Sequence, residues 1–509
     1  MSIIVFAILA SIYAVYSQDE TEIYDCSICI FSDEYARENQ QPLHKACLSL
    51  FNDDIMCSKF ATSEITYDSQ QSARSECESL GYCKVNKKQQ WRGTKSRNAE
   101  SDNLLDIRIS KAYGSKGYDQ VRVSVISNES ITSDLFTYSE QFKYRWTYNV
   151  LNTGMLTVEP GKNTEITIAG QTFNIRIPEE NSPIRGVVVA DPCFSNDYVW
   201  CSYGDDFDTF NRSTLLLNAI HAHDDSDFWM VLGDNFYDQT GEITAEWFAA
   251  LSPETKSRVY GSVPGNHDFW ILSAPRVWMP QQDQLGNGFM QFNAQDVAAS
   301  AADPTSPIPY DFSSNPDAED GDAENLPPAA DFFWYYKLGN IGLVGYSGGH
   351  SYSSMRTYFE ESCSYMAASD VSAVLLMGHW NSPGLGCPSE MNVPATYRQI
   401  VEDIPACKSI EDKLKYMMGH EHCNKVVEKD VGFMVAGQGM TASAPCGGNY
   451  GLPVVDTHNG TFTVYFFDIA QLNEYDNFDD IYDCIVQSGV SNCYHLATVW
   501  SDVPLISHM

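Results

Sequence analysis

The sequence predicts an α/β protein, and three observations carry that expectation. First, short apolar runs such as RGVVVA, DFWMVL, VSAVLLM and KLKYMM alternate between residues 183 and 470 with helix-like stretches such as TLLLNAIHAH and ITAEWFAAL. That order builds a sheet covered by helices. Second, each of those four runs stops at a short block: Ala190-Asp191-Pro192-Cys193, Gly233-Asp234-Asn235-Phe236-Tyr237, Gly378-His379-Trp380 and Gly419-His420-Glu421-His422. Apolar runs broken in this way read as buried strands ending in loops. Third, these blocks and a fifth, Gly265-Asn266-His267-Asp268, all carry side chains that bind metals. Ligands of α/β sheets gather at strand ends, so residues about 230 positions apart can meet along one edge.

The elements are taken in chain order. Residues 1–17, MSIIVFAILASIYAVYS, form an apolar stretch of signal-peptide length, with small residues placed for cleavage before Gln18. No Lys or Arg precedes it, and a membrane anchor is the other reading, for which it is short. Residues 22–90 contain Cys26, Cys29, Cys47, Cys57, Cys77 and Cys83 among helix-like stretches. This rhythm resembles a saposin B-type domain, which implies the nested bridges Cys26–Cys83, Cys29–Cys77 and Cys47–Cys57. Two of the intervals between cysteines are shorter than is usual in that family. Lipid or membrane contact and a stapled helical cap stand as equal readings of this segment.

Residues 100–182 alternate apolar and polar side chains in LLDIRIS, QVRVSVIS, FKYRWTY, TEITIAG and FNIRIP, the pattern of a small β-rich region. Residues 183–470 are the α/β domain, interrupted by an acidic, Pro-rich run at 303–330 that reads as a solvated loop or a flap beside the site. A C-terminal extension, 471–509, carries Cys484 and Cys493, whose spacing suggests a local loop.

Composition narrows the function classes. With 509 residues, 43% of them hydrophobic and 13% aromatic, the chain can bury a large core, which excludes wholesale disorder. Acidic residues outnumber basic ones 67 to 31, for a net charge of −36, and such a surface repels nucleic acid. It also repels a phosphorylated substrate unless cations in the site reverse the local potential. Fifteen cysteines behind a signal-like segment imply disulfides and an oxidising compartment. Sequons at Asn128, Asn211 and Asn459 fit glycosylation there. The expected location is secreted or lumenal, in an acidic, lysosome-like compartment.

The five blocks supply Asp191, Asp234, Tyr237, Asn266, His379, His420 and His422: two carboxylates, one phenol, one amide and three imidazoles. Oxygen and imidazole donors suit hard or borderline cations that activate water. Seven of them suit two metals if a carboxylate bridges. Tyr237 is the unusual member, because a phenolate is a hard anionic donor suited to Fe(III) and much less so to Zn(II).

The order of the blocks resembles the calcineurin-like metallophosphoesterase superfamily, and their details resemble purple acid phosphatases. The superfamily commonly has Asp-x-His in the first block; here Cys193 stands in place of that His, while GDNFY contributes Tyr237. The resemblance implies an αββα sandwich and a ferric ion held by Asp191, Tyr237 and His422. It places a divalent ion (Fe, Zn or Mn) on Asn266, His379 and His420, with Asp234 bridging. It also implies hydrolysis of phosphate monoesters by a metal-bound hydroxide. His267 would protonate the leaving oxygen, and Asp268 would orient His267.

Other residues have plainer readings. His350 suits a structural role more than substrate contact, and His221 and His223 suit surface or core roles. Cys193 is placed to pair with Cys201 across a short loop, and Trp270 and Trp380 could wall the site. Two further functions stay open. One is a phosphodiesterase acting on phospholipid, since acid sphingomyelinases also join a saposin domain to such a catalytic domain. The other is a lipid-binding protein with a decayed site. The expected partner is a phosphorylated small molecule or lipid, with membrane contact through the saposin-like segment as a further expectation.

Overall fold

The computed structural model describes residues 29, 32–33, 36–37, 40–51, 57–61, 76–77, 79–82, 106–111, 117–144, 147–195, 201, 207–223, 225–237, 242–269, 289, 328–381, 390–435 and 449–506. The signal-like segment, Cys26, Cys83, Trp270 and residues 303–327 lie outside them. The chain divides into two compact units, one made of residues 1–97, 195–200 and 274–281, the other of the remainder. In the first, a helix at Leu43–Phe51 and a short 3-10 turn at Ser58–Phe60 are stapled by Cys47–Cys57, and Cys29 is bridged to Cys77. Asp33 is fully buried and takes the Arg37 Nε donor at 2.9 Å.

The second unit is built on two sheets. In chain order the strands are β1 (Asp106–Ser110), β2 (Gln120–Ser127), β3 (Tyr138–Tyr144), β4 (Thr147–Thr157), β5 (Thr164–Ile168), β6 (Gln171–Ile175), β7 (Arg185–Val189), β8 (Phe228–Leu232), β9 (Val259–Val263) and β10 (Trp334–Leu338). They continue with β11 (Ile341–Gly345), β12 (Ala373–Met377), β13 (Leu414–Met418), β14 (Lys425–Glu428), β15 (Gly432–Met434), β16 (Asn449–Asp456), β17 (Thr461–Gln471), β18 (Tyr475–Asp476) and β19 (Thr498–Pro504). An 11-stranded sheet runs β18-β17-β16-β7-β8-β9-β1-β2-β4-β3, with β19 on β17, and a 6-stranded sheet runs β10-β11-β12-β13-β15-β14. Strands β5 and β6 form a separate hairpin.

The two sheets pack face to face, with Val188, Met230, Leu343 and Leu375 in one core. Trp334 of the smaller sheet donates Nε1–H to the Ser262 carbonyl of the larger at 2.7 Å. Helices such as Glu242–Ala250 pack against the larger sheet, while Tyr352–Ala368 and Val393–Asp403 pack against the smaller. Layers of helix, sheet, sheet and helix make an α/β sandwich: the runs and helix-like stretches predicted the α/β class, and the family resemblance implied the sandwich. Two of the helices begin at side-chain caps: the Ser351 and Asn392 side chains accept the N–H of Ser354 and Ala395. Of the alternating segments from residue 100 onward, β1 to β4 extend the same large sheet, because β1 pairs in parallel with β9 at Ile109 and Val259.

Strands β7, β8 and β9 are parallel neighbours in one sheet, and β11, β12 and β13 in the other. All six are buried along their whole length. Parallel strands with both faces covered have this character. Five of the six end in the five polar blocks, so the topology delivers all five blocks to strand carboxyl ends. Cys193 and Cys201 are bridged, as are Cys484 and Cys493. A bridge between Cys363 and Cys407, tying the Tyr352–Ala368 helix to the Pro405–Ser409 helix, was not foreseen.

Candidate metal centre

Three of the five blocks turn through left-handed backbone as they leave their strands. Six of the twelve non-glycine residues with positive φ among the described residues lie in these turns: Asp191, Asp234, Phe236, Tyr237, His420 and His422. Strained backbone of this kind persists where surrounding structure over-determines it, and it clusters at functional sites. Two glycines are required by close approach. A Cβ on Gly265 would stand 2.2 Å from both the Asp234 amide nitrogen and Oδ1, and one on Gly419 would stand 2.5 Å from Asp191 Oδ2. The blocks pack backbone against side chain, with no room for a methyl group.

All seven expected ligand residues come together. Asp191, Asp234 and His379 are buried, with candidate ligand atoms within 4.8 Å of one another. The other four extend this centre in two directions. Around Asp191, the Tyr237 hydroxyl lies 3.3 Å from Oδ1 and 2.9 Å from His422 Nε2, and His422 Nε2 is 3.6 Å from Asp191 Oδ1. Around Asn266, the amide oxygen Oδ1 faces His379 Nε2 at 3.1 Å and His420 Nδ1 at 2.8 Å. Asp234 stands between the groups: Oδ2 is 3.4 Å from His379 Nε2, and the carboxylate also reaches the Tyr237 hydroxyl. His379 is held from behind, its Nδ1 2.8 Å from the Leu232 carbonyl, which leaves Nε2 facing the centre.

The electrostatics follow from burial and crowding. Burial lifts the Asp191 carboxyl to about 6, although His379 and His422 pull it down. For Asp234 burial acts in the same upward sense, but His379 and His267 overcome it and hold the group below the usual carboxylate range. Burial works against charge on His379, yet Asp234 and Asp191 outweigh it and raise its imidazole to about 9. His420 goes the other way, pushed down to about 3 by burial and then by His379. Burial, with Asp191 and Asp234 next to it, keeps the Tyr237 phenol protonated far above its ordinary range. Only a strong local positive charge could draw a phenolate from that position.

The donor set fits a cation site. Oxygen and imidazole donors ring a buried centre, several 3.3–3.8 Å apart, as atoms do when arrayed around a point. Cys193 is not among them, since its sulfur is committed to Cys201.

His267 sits at the edge of the centre, and the Asp268 carboxylate is bonded elsewhere than to it. His267 is at the rim, its side chain 20% exposed, with Nε2 3.9 Å from Asp234 Oδ2 and its ring 4.7 Å from that of Tyr237. The Asp268 carboxylate is occupied by the Gly265 amide at 2.6 Å, the Asn235 amide at 3.1 Å and Asn235 Nδ2 at 2.9 Å. Asn235 is the residue that sequence reasoning passed over. It is buried and also accepts the Ser262 hydroxyl at 2.6 Å. Its position between Asp234 and Tyr237 was the only available signal.

The remaining candidates fall outside the centre. His350 is buried against Phe332, ring centroids 5.0 Å apart. His221 is in the core, and His223 Nε2 lies 2.9 Å from the Val486 carbonyl. Trp380 is buried beside His379, ring centroids 5.3 Å apart, so it backs a ligand residue and forms no exposed wall.

No protein-family model matches the chain, and no curated protein matches it in sequence. Among solved structures, it is similar to purple acid phosphatase PPD1 from seeds of yellow lupin (Lupinus luteus), at 13% identity over 71% of this chain and 72% of that one, with a TM-score of 0.46. A single-site mutant of Vps29 from Entamoeba histolytica overlaps at 11% identity over 56% of this chain and 93% of that one, with a TM-score of 0.24. Overlaps this loose carry no functional argument, which rests on the residues themselves.

Proposed function

We propose that the protein is a metal-dependent phosphomonoesterase of the calcineurin-like metallophosphoesterase type, nearest in its site to purple acid phosphatases. One observation carries the reading: the seven side chains divide into Asp191, Tyr237 and His422 on one side and Asn266, His379 and His420 on the other, with Asp234 between them. The first group would hold a ferric ion, the second a divalent ion, and Asp234 would serve both. Bound there, the two cations would supply charge neutralisation for an anionic substrate and Lewis acidity toward water. They would also offset the repulsion expected from a chain of net charge −36.

The chain's own groups do the rest. Tyr237 favours a hard trivalent ion, and Cys193, locked in a disulfide, leaves no competing donor in the first block. His267, at the rim and partly solvated, is placed to hand a proton to the leaving oxygen of the ester. Its backbone N–H is bound by Asp234 Oδ1 at 2.8 Å, which fixes where the ring starts. The disulfides support folding in an oxidising compartment, secreted or lumenal.

The test compares an aryl phosphate, the corresponding diester and a choline phospholipid at pH 5, alongside elemental analysis for metals. Preference for the monoester supports the reading. Preference for the phospholipid would move the assignment to a sphingomyelinase-like diesterase. Absence of metal and of all three activities would leave a lipid-binding protein.

A further inference from the structure

The turns after β8 and β9 hold each other reciprocally. Asp234, in the first turn, accepts the His267 N–H of the second at 2.8 Å. Asp268, in the second, accepts the Asn235 N–H of the first at 3.1 Å and the Gly265 N–H of its own turn at 2.6 Å. Asn235 Nδ2 adds a bond to Asp268 Oδ2 at 2.9 Å and another to the Val263 carbonyl at 3.1 Å. Its Oδ1 accepts the Ser262 hydroxyl at 2.6 Å. The two backbones press so closely that a Cβ at Gly265 would overlap Asp234.

One consequence is geometric. With Asp234 Oδ1 bound to His267, it is Oδ2 that faces His379 Nε2, at 3.4 Å. The same brace sets where Asn266 begins, one residue before His267.

We propose that Asp268 is a positioning residue for the metal centre. It clips the Gly-Asp-Asn turn to the Gly-Asn-His turn, so that Asp234 and Asn266 present their oxygens at a fixed spacing. It does not serve His267 as a proton partner. The inference rests on the metal-centre reading, and its test separates the two.

The purified full chain is compared with Asp268→Asn, Asn235→Ala and His267→Gln, each loaded with metal and challenged with a chelator, and metal loss is followed by elemental analysis. Outer-shell substitutions typically lower metal affinity about 10- to 100-fold. Asp268→Asn should therefore bind metal at least roughly tenfold more weakly. Asn235→Ala should move the same way by less, and His267→Gln should match the parent. Retention like the parent's in Asp268→Asn, with a displaced acidic limb of the pH–rate profile, would show a proton partner and overturn the proposal.

Amide hydrogen exchange on metal-free protein gives an independent reading. Exchange at Gly265 and Asn235 should accelerate in Asp268→Asn, and unchanged exchange overturns the brace. If the parent binds no metal, the functional reading fails while this exchange still decides the brace. If Asp268→Asn does not fold, Asn235→Ala, which spares the carboxylate and its backbone donors, decides by the same measurements.

Discussion

Replacing Asp456 by Asn should destabilise the protein strongly while leaving its shape almost unchanged. The Asp456 carboxylate accepts Arg185 Nε at 2.8 Å and the Tyr494 hydroxyl at 2.5 Å on one oxygen. The other oxygen accepts both the backbone N–H and Nδ1 of His458, each at 2.8 Å. The side chains of Arg185 and Asp456 are 7% and 2% exposed. Removing one partner of a buried ion pair costs about 3–5 kcal/mol, because the other charge stays buried and uncompensated. Asp225, 3.6 Å from Arg185, offers partial compensation, which places the expected loss near the lower end, about 3 kcal/mol.

The pH dependence has a definite sign. Burial would raise the Asp456 carboxyl, but His458 and Arg185 overcome it and hold it below the usual range. Its contribution is therefore complete above the unfolded value, about 4, and is lost as pH falls through the folded one. Urea unfolding of parent and variant should differ by a constant amount from pH 8 to pH 5 and converge below about pH 4. A difference under about 1 kcal/mol at pH 6, the value typical of a surface pair, would refute the reasoning, as would a difference that grows with acid.

Other outcomes rest on the same geometry. Tyr237→Phe should abolish any visible tyrosinate-to-iron absorption band and lower activity by more than the roughly 10- to 100-fold typical of outer-shell changes; a colourless, fully active zinc protein would overturn the iron assignment. Gly265→Ala should displace Asp234, losing metal and about 1–3 kcal/mol of stability, as overpacking does; retention of metal like the parent's would contradict the close approach. Replacing Cys363 and Cys407 together by Ser opens a loop whose ends are 44 residues apart and should lower unfolding free energy by about 4 kcal/mol under oxidising conditions. The parent under reduction, compared by the same urea titration, should fall to the same level or below it.

The grouping of the candidate donors was legible in the sequence because four of their five blocks follow an apolar run that reads as a buried strand. Runs such as FWMVL and AVLLM can only be strands or core, and the residues next in the chain must emerge at an edge. Once the strands are parallel, the edges coincide. The role of Asp268 was not legible. Adjacency to His267 suggested a partnership, whereas the carboxylate turned to Asn235, 33 positions earlier, because two turns meet back to back. Alternation marked β1 and β2 as strands but could not name all their partners: β1 pairs with β9 as well as with β2. The Cys363–Cys407 bridge was hidden for a related reason: counting cysteines leaves connectivity open.

The sheet order also dictates when the centre can exist. Strand β7, which delivers Asp191, is bordered by β8 on one side and by β16 on the other, with Val187 opposite Val454. Chains are made from the amino end at about 5–20 residues per second. The strand carrying the first candidate donor therefore waits on the order of ten seconds or more for its second neighbour. His420 and His422 also emerge late, so the nascent chain passes through a period in which acidic ligands are present without their imidazoles. Assembly of the centre is then among the last events of folding, coupled to closure of a sheet with long-range contacts, which is a slow step. A metal supplied early would meet only a partial set of donors.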